Sequence, residues 1–162
     1  MMLKDIENSR IWIYTLSKEL SEEELTTFKN NCEEFVTNWK AHDIKLDASC
    51  EIYKNRILII KVNEDSYNAS GCSIDAQIRF IKNQEKIFQV ELLNRMLVAY
   101  EINSELIITT QSNIKKLLQQ GTINKNTLVY NNTLTNSIDL ENKWKVELKD
   151  TWLANLDRPE LK

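Results

Sequence analysis

The sequence predicts an α+β fold, because strand-like and helix-like hydrophobic patterns alternate along its 162 residues. Apolar residues repeat with a period of two in several short segments, which is typical of β-strands. In two longer segments they repeat every three or four residues, which is typical of amphipathic helices. Hydrophobic residues make up 42% and charged residues 28% of the chain, as in globular proteins. This length favours a single domain over residues 1–162.

Three segments have the composition of strands. Residues 10–16 read RIWIYTL, and both of their alternating faces are apolar. Residues 44–52 alternate apolar with polar side chains, so one face is expected to be buried and the other wet. Residues 56–62 read RILIIKV, which indicates a central strand covered on both faces. The last two segments are close enough to form a hairpin through Lys54 and Asn55.

Two helices are predicted between these strands. Ser21 and Glu24 form the pattern of a capping box, which begins a helix that runs to about Lys40. Its buried stripe includes Cys32. Ser73 is expected to cap a second helix that ends near Phe88. The apolar stripe of this second helix consists of Ile74, Ile78, Ile81 and Phe88.

The rest of the chain adds further elements. Asn103 and Ser104 can join two strands, and Gly121 can end a third helix. The predicted segments are strands 96–102, 106–110 and 128–131, a helix over 112–120, and a tail that carries Trp144 and Trp152. The order strand, helix, strand, strand, helix, strand is the βαββαβ plan of ferredoxin-like folds, which have one antiparallel sheet. An added hairpin strand, the third helix and a C-terminal cap would follow it.

In that plan one sheet face carries no helix, and Trp12 and Tyr14 are predicted to lie on it. An apolar patch of this size is rarely left exposed. The tail can fold across it as a third layer, or the patch can form an oligomer or ligand surface. A homodimer formed through Trp12 and Tyr14 is therefore one of the alternatives.

Charge and composition exclude several classes of partner. The formal net charge is -3 and basic residues are not clustered, which argues against nucleic acid. No apolar stretch approaches the ~20 residues of a membrane span, and the first ten residues are too polar for a signal peptide. Three cysteines without CxxC spacing favour reduced thiols over disulfides or a thiolate zinc site. We therefore expect a cytoplasmic protein without a membrane span.

The segment from Glu64 to Asp75 is the densest polar stretch, and it leads into the second helix. Free backbone N–H groups at the start of a helix can hold an anionic group. This loop is therefore the predicted binding site for a small molecule or a protein partner, near His42. The residues expected to contact the ligand are Asp65, Ser70, Gly71 and Ser73.

A thiol-dependent enzyme is the main alternative to a binding module. Cys72 would be the nucleophile, and His42 would be its base if the fold brings both to one end of the sheet. Asp65 or Asp75 would orient the imidazole. A purely structural interpretation stands beside it: Ser73 and Asp75 cap the helix, Gly71 supplies an unusual backbone angle, and Cys72 fills a gap.

Other chemistries find less support in the sequence. The residues His42, Glu64, Asp65 and Cys72 lack a recognised metal-ligand spacing, so no metal is expected. The glycines Gly71 and Gly121 are too far apart for a phosphate-binding loop, and no cofactor is expected. The strand around Trp12 is similar to one signature strand of RNA-recognition motifs, but the segment 56–62 lacks the aromatic and glycine residues of the other.

Several blocks resemble a family of short, uncharacterised bacterial proteins, and the resemblance covers almost the whole chain. The blocks are 10–14, 39–42, 70–75, 94–96 and 148–152, which read RIWIY, WKAH, SGCSID, NRM and LKDTW. Members are often labelled "ABC transporter ATPase", whereas this sequence has neither a phosphate-binding loop nor an LSGGQ-like signature. The resemblance implies no activity, but its most typical blocks contain His42 and Cys72. Asp43 stands where the family commonly has glycine.

Overall fold

The computed structural model describes residues 8–157, and it confirms an α+β fold with antiparallel sheets. The strands of this part of the chain are β1 Arg10–Thr15, β2 Lys40–Ala41, β3 Ile44–Lys45, β4 Asp47–Tyr53, β5 Ile57–Asn63, β6 Leu97–Ile102, β7 Glu105–Thr110, β8 Leu128–Tyr130 and β9 Lys145–Glu147. The helices are α1 Glu22–Asn38, α2 Gly71–Phe88, α3 Gln111–Gln119 and α4 Ser137–Lys143, and two 3₁₀ helices cover Leu148–Asp150 and Trp152–Asp157. None of these helices combines the length and apolarity that crossing a bilayer demands.

The backbone divides into two compact units. Of the described residues, the first contains 8–94 and 133–141, and the second contains 95–132 and 142–157. The single domain expected over residues 1–162 stays a prediction.

Helix α1 begins where the sequence predicts. The Ser21 hydroxyl accepts from the Glu24 backbone N–H at 3.1 Å, and the Glu24 carboxylate accepts from the Ser21 backbone N–H at 3.0 Å. This reciprocal pair satisfies two backbone donors that the first helical turn leaves free. The same hydrogen bonds lower the pKa of the Glu24 carboxyl.

Helix α2 begins three residues earlier than predicted. Ser70 is the capping residue, and its hydroxyl accepts from the Ser73 backbone N–H at 3.1 Å. Ser73 is therefore inside the first turn, where it is buried. Its own hydroxyl donates to the Ser70 carbonyl at 2.8 Å. Two serines three residues apart can each cap a helix, and the sequence does not distinguish them.

The sheet of the first unit has the strand order β1-β5-β4, with every pair antiparallel. β5 is the central strand, and residues 57–60 are fully buried, as its aliphatic composition predicts. β1 and β4 are joined through α1 and flank β5, which is the split β-α-β arrangement found in one half of a ferredoxin-like fold.

The prediction that β6 forms the fourth strand of this sheet is wrong. β6 pairs with β7 and β8 in a separate sheet of order β7-β6-β8-β9, so the four-stranded ferredoxin-like sheet is not formed. The outer edge of β1 is occupied by a later segment of the first unit instead. The Ile11 N–H donates to the Thr135 carbonyl at 3.0 Å, and Arg10 forms a bridge with Asn136.

The expectation that Trp12 and Tyr14 lie on a sheet face without helices is also wrong. The Tyr14 hydroxyl donates to Gln77 Oε1 of α2, and the Trp12 ring contacts Trp39 at the end of α1 in an edge-on geometry. Both side chains are therefore under the two helices and join the core there. The opposite face carries Ile11, Ile57 and Ile59, each at most 2% exposed.

The second unit has its own core around β6, β8 and α3. Buried members are Val98, Tyr100, Ile114, Ile123, Val129, Leu148 and Leu153. The hairpin turn at Asn103 and Ser104 and the stop at Gly121, with φ of 72°, are both as predicted. In the tail, Leu148 and Leu153 complete this core, whereas Trp152, a predicted part of the cap, is 40% exposed. Trp144 contacts Tyr130 with ring centroids 5.0 Å apart.

Candidate functional site

The predicted loop before α2 is held by its own side chains. The Asp65 N–H donates to Asn63 Oδ1 at 3.0 Å, and the Ala69 N–H donates to Glu64 Oε2 at 2.8 Å. These bonds, together with the Ser70 cap, fix the path of the backbone into the helix. Asp65 remains exposed and Ser70 half-buried at the end of the loop.

Two structural roles expected at the start of α2 are wrong. Gly71 is the first helical residue without a positive φ, and a Cβ atom added to it would have no neighbour within 4 Å. Glycine is therefore not required there for backbone geometry. Cys72 is exposed and does not fill a gap.

His42 lies at the tip of the β2–β3 hairpin. His42 and Asp43 both have positive φ, 50° and 63°, between the paired residues Ala41 and Ile44. Just before this hairpin, the Trp39 indole Nε1 donates to the Ser73 carbonyl at 2.9 Å. This buried hydrogen bond holds the end of α1, from which the hairpin starts, against the first turn of α2.

The catalytic arrangement suggested by the sequence involves His42, Cys72 and Asp75. His42, Cys72 and Asp75 are all exposed, and no hydrogen bond joins any two of their side chains in the part of the chain that the structure describes. Among residues 8–157, no three His, Cys, Asp or Glu side chains come together as a possible metal site. The roles of His42 and Cys72 stay predictions.

A groove lies between α1 and α2 in the first unit. It has a volume of about 530 Å³, which falls in the usual range of small-molecule sites. Its lining residues are Asn31, Glu34, Phe35, Asn38, Trp39, Lys40, Ala76, Phe80, Asn83, Gln84 and Ile87. They recur at helical spacing on each helix, so they form one face of α1 and one face of α2.

Aromatic rings form the apolar part of the groove. The rings of Phe35 and Phe80 are stacked, with centroids 4.4 Å apart and planes 9° from parallel. Trp39 lies next to Phe35 at 5.2 Å between centroids. Trp39 is buried, whereas Phe35 and Phe80 are half-buried. A ligand in the groove would therefore find apolar surface that the fold itself leaves partly open.

Carboxamides form the polar part of the groove. Asn31 Nδ2 donates to Gln84 Oε1 at 2.9 Å. Gln84 is 2% exposed, yet no hydrogen bond is formed by its Nε2 within residues 8–157. Asn38 Nδ2 donates to the Glu34 carbonyl at 2.9 Å, and its amide oxygen accepts no hydrogen bond from the described part of the chain. Among the described residues, the buried amide nitrogen without a partner is Gln77 Nε2, whereas Gln84 Nε2 is not fully enclosed and Gln84 lines the groove.

Sequence reasoning missed this groove because it predicted only part of the buried face of α2. Ile81 and Phe88 are buried as predicted, whereas Ile74 and Ile78, the other two predicted core positions, are only half-buried. The buried stripe consists of Ser73, Gln77, Ile81, Gln84 and Phe88. Two glutamines seven residues apart on the stripe that contains Ile81 were the available signal. Buried polar residues inside an otherwise apolar stripe often mark function.

Comparison with known proteins gives no relative: no family model, no curated protein and no solved structure matches this chain. The resemblance to the family of short bacterial proteins stays a prediction.

Proposed function

We propose that this protein is a binding module whose ligand occupies the groove between α1 and α2. The observation that carries the proposal is Gln84, which is almost fully buried and lines the groove, while its amide nitrogen forms no hydrogen bond with any residue that the structure describes. The half-buried rings of Phe35 and Phe80 add apolar surface beside it. Apolar surface with a few fixed polar groups is the usual composition of a ligand site.

We place the predicted loop, residues 64–75, at one end of this groove. Ala76 and Phe80 line the groove, and Cys72 precedes them at the same four-residue spacing on α2. Side chains four residues apart lie on one helix face. Cys72, the exposed Asp65 and the His42 hairpin are therefore proposed to contact the ligand from this end.

Rigid elements hold the site, which favours binding without large rearrangement. The lining residues are on two helices, and the Trp39 bond to Ser73 connects the end of α1 to the start of α2. Sites built on helices hold their geometry better than sites built on loops.

The proposal is tested by NMR on the ¹⁵N-labelled full chain with mixtures of small uncharged aromatic and amide fragments. We expect the backbone signals of Phe35, Phe80 and Asn83 to shift together for the fragments that bind. The variant Ala76→Trp fills the groove and should abolish these shifts. Lys82→Trp adds the same ring at an exposed position of α2 outside the groove lining and should leave them unchanged.

Two results would contradict the proposal. One is the absence of shifts at millimolar concentrations of every fragment, and the other is a set of shifts that Ala76→Trp leaves intact. Thermal melting of both tryptophan variants checks that each is folded. We also propose a cytoplasmic location, which the free thiols of Cys32, Cys50 and Cys72 support.

A further inference from the structure

We propose that the ligand of the groove is an uncharged planar ring that carries a hydrogen-bond donor beside an acceptor, as on the edge of a nucleobase or a lactam. This inference rests on the proposed function and specifies the ligand class for the same groove. Three features support it: the paired amides of Asn31 and Gln84, the aromatic surface, and the balance of charges on the lining.

The amide pair defines the hydrogen-bonding pattern of the ligand. One bond joins Asn31 Nδ2 to Gln84 Oε1, so the Asn31 oxygen and the Gln84 nitrogen remain available. If both amides were turned over, the pair would still offer one free donor and one free acceptor. The complementary ligand therefore carries one acceptor and one donor side by side. A single asparagine or glutamine amide binds adenine with the same combination of one donor and one acceptor.

Peptide backbone does not match this pattern. In a trans peptide bond the N–H and the C=O point in opposite directions, so one peptide unit cannot meet an adjacent donor and acceptor. A ring amide is locked cis and presents both groups on one edge. The amide pair thus favours a cyclic ligand over an extended peptide segment.

The aromatic lining requires a flat apolar face on the same ligand. Phe35 and Phe80 keep part of their surface open although they stack on each other. Planar heterocycles bind to aromatic side chains through their faces while their edges stay free for hydrogen bonds. A planar ring can therefore meet the phenylalanines and the amide pair together.

The charges on the lining favour a neutral ligand. Lys40 is the single cation among the lining residues and Glu34 the single anion, so no row of positive charge is present to follow phosphates. Binding to nucleic acid depends on such a row. We therefore assign the groove to a free base, nucleoside or other lactam, and not to a base within an RNA strand.

The test is a titration of the ¹⁵N-labelled full chain with uridine, adenosine, toluene and N-methylacetamide, followed through backbone and side-chain amide signals. We expect a nucleoside to shift the side-chain NH₂ signals of Asn31 and Gln84. Toluene has the ring without the edge, and N-methylacetamide has a trans amide without the ring. Both should bind at least about tenfold more weakly, because each lacks one of the two contacts.

Matched variants assign the effect to the groove amide. Gln84→Met keeps the size of the side chain and should weaken nucleoside binding at least about fivefold. Gln77→Met removes the other buried glutamine of α2, which is not part of the lining, and should leave the affinity unchanged. If Gln84→Met does not fold, Asn31→Leu serves in its place, because Asn31 is only half-buried.

The outcomes separate this inference from the proposed function. Toluene binding as tightly as uridine, or equal affinities for wild type and Gln84→Met, would overturn the ring-edge assignment while leaving a groove that binds ligands. A strand of ten uridines that binds more tightly than uridine, with strong salt dependence, would overturn the choice of a free base. Failure of every probe, together with no shifts from the fragment mixtures, would overturn both.

Discussion

At the scale of single residues, the core thiols behave differently from the exposed one. Cys32 is buried in α1, and Cys50 is half-buried in β4 with its thiol donating to Glu33 Oε1 at 3.3 Å. Burial raises the pKa of the Cys32 thiol, and burial together with the bond to Glu33 raises the pKa of Cys50 to about 12. Cys72 is exposed at the start of α2. Preferential alkylation of Cys72 would therefore follow from exposure and would not by itself indicate catalysis.

The raised pKa of Cys50 predicts a loss of stability at alkaline pH. In the unfolded chain this thiol ionises near its ordinary value of 9.0, whereas in the folded chain it stays protonated until about pH 12. The unfolded state therefore releases its proton first, and the contribution of Cys50 is lost as the pH rises from 9.0 towards 12. Urea unfolding of wild type at pH 8 and at pH 10.5 should show this decline.

Cys50→Ala is the control for this prediction. It removes the titrating thiol, so its free energy of unfolding should fall less steeply than that of wild type over the same pH interval. Lysine and tyrosine titrations affect both proteins alike. Identical slopes for the two proteins would show that the folded state does not shift the ionisation of this thiol.

Some buried residues could be predicted from the sequence and others could not. Cys32 was predicted as a core residue, and the helical spacing of its neighbours was sufficient for that. Gln77 and Gln84 were not predicted, because hydrophobicity alone places Ile74 and Ile78 inside. The rotation of α2 about its axis depends on Tyr14 and Asn31, which bond to these glutamines from distant parts of the chain. Periodicity cannot reveal such partners.

At the scale of elements, the hairpin turns use side chains where glycine is the usual choice. Between residues 8 and 157, three tight turns place two consecutive residues at positive φ, and none of these three contains glycine at those positions. The residues are His42, Asp43, Lys54, Asn55, Asn103 and Ser104. Positive φ at both central positions matches the right-handed twist of a hairpin, but it strains residues that carry a Cβ atom.

Replacing Asp43 with glycine should therefore stabilise the protein. Asp43 has φ of 63°, and we expect Asp43→Gly to raise the free energy of unfolding by about 1 kcal/mol. Chemical denaturation measures the change. The matched control is Asp47→Gly in β4, an exposed strand position, which should lower the free energy by about 0.5–1 kcal/mol. A loss of stability in Asp43→Gly would show that the Asp43 side chain contributes more than its strain costs.

Elements defined by local signals could be predicted, whereas their pairing could not. The capping box at Ser21 and the turn at Asn103 and Ser104 involve neighbours in sequence, and both are confirmed. The position of β6 depends on whether it pairs with β1 or with β8, and its sequence suits either place. The bridge between Arg10 and Asn136 joins residues far apart in sequence, so no local sequence pattern predicts it.

At the scale of the whole molecule, the first unit is made from two separate stretches of chain. The segment 133–141 belongs to it, although residues 95–132 of the second unit intervene. Ser137 donates its N–H to the Ser9 carbonyl at 2.8 Å and accepts from the Ser9 N–H through its hydroxyl at 2.8 Å. With the Ile11 bond to Thr135, these contacts cover the first residues of the outer edge of β1.

A fragment of residues 1–94 should therefore associate with itself. Without the returning segment, the N–H and C=O groups on the outer edge of β1 have no partner and can pair with another chain. Size-exclusion chromatography at increasing concentration should show dimers or larger species for the fragment and a smaller, concentration-independent species for the full chain. A fragment that stays monomeric and melts at the temperature of the full chain would show that segment 133–141 is not needed to protect the outer edge of β1.

The returning segment also places a limit on the order of folding. During synthesis, residues 9–11 leave the ribosome long before residues 135–137, which are their partners. The first sheet can assemble from β1, β4 and β5 while the chain grows, but the segment that covers the start of the outer edge of β1 is synthesised only in the last fifth of the polypeptide. A nascent chain stalled before that point would be exposed to strand capture by neighbouring molecules, the interval in which chaperones matter most.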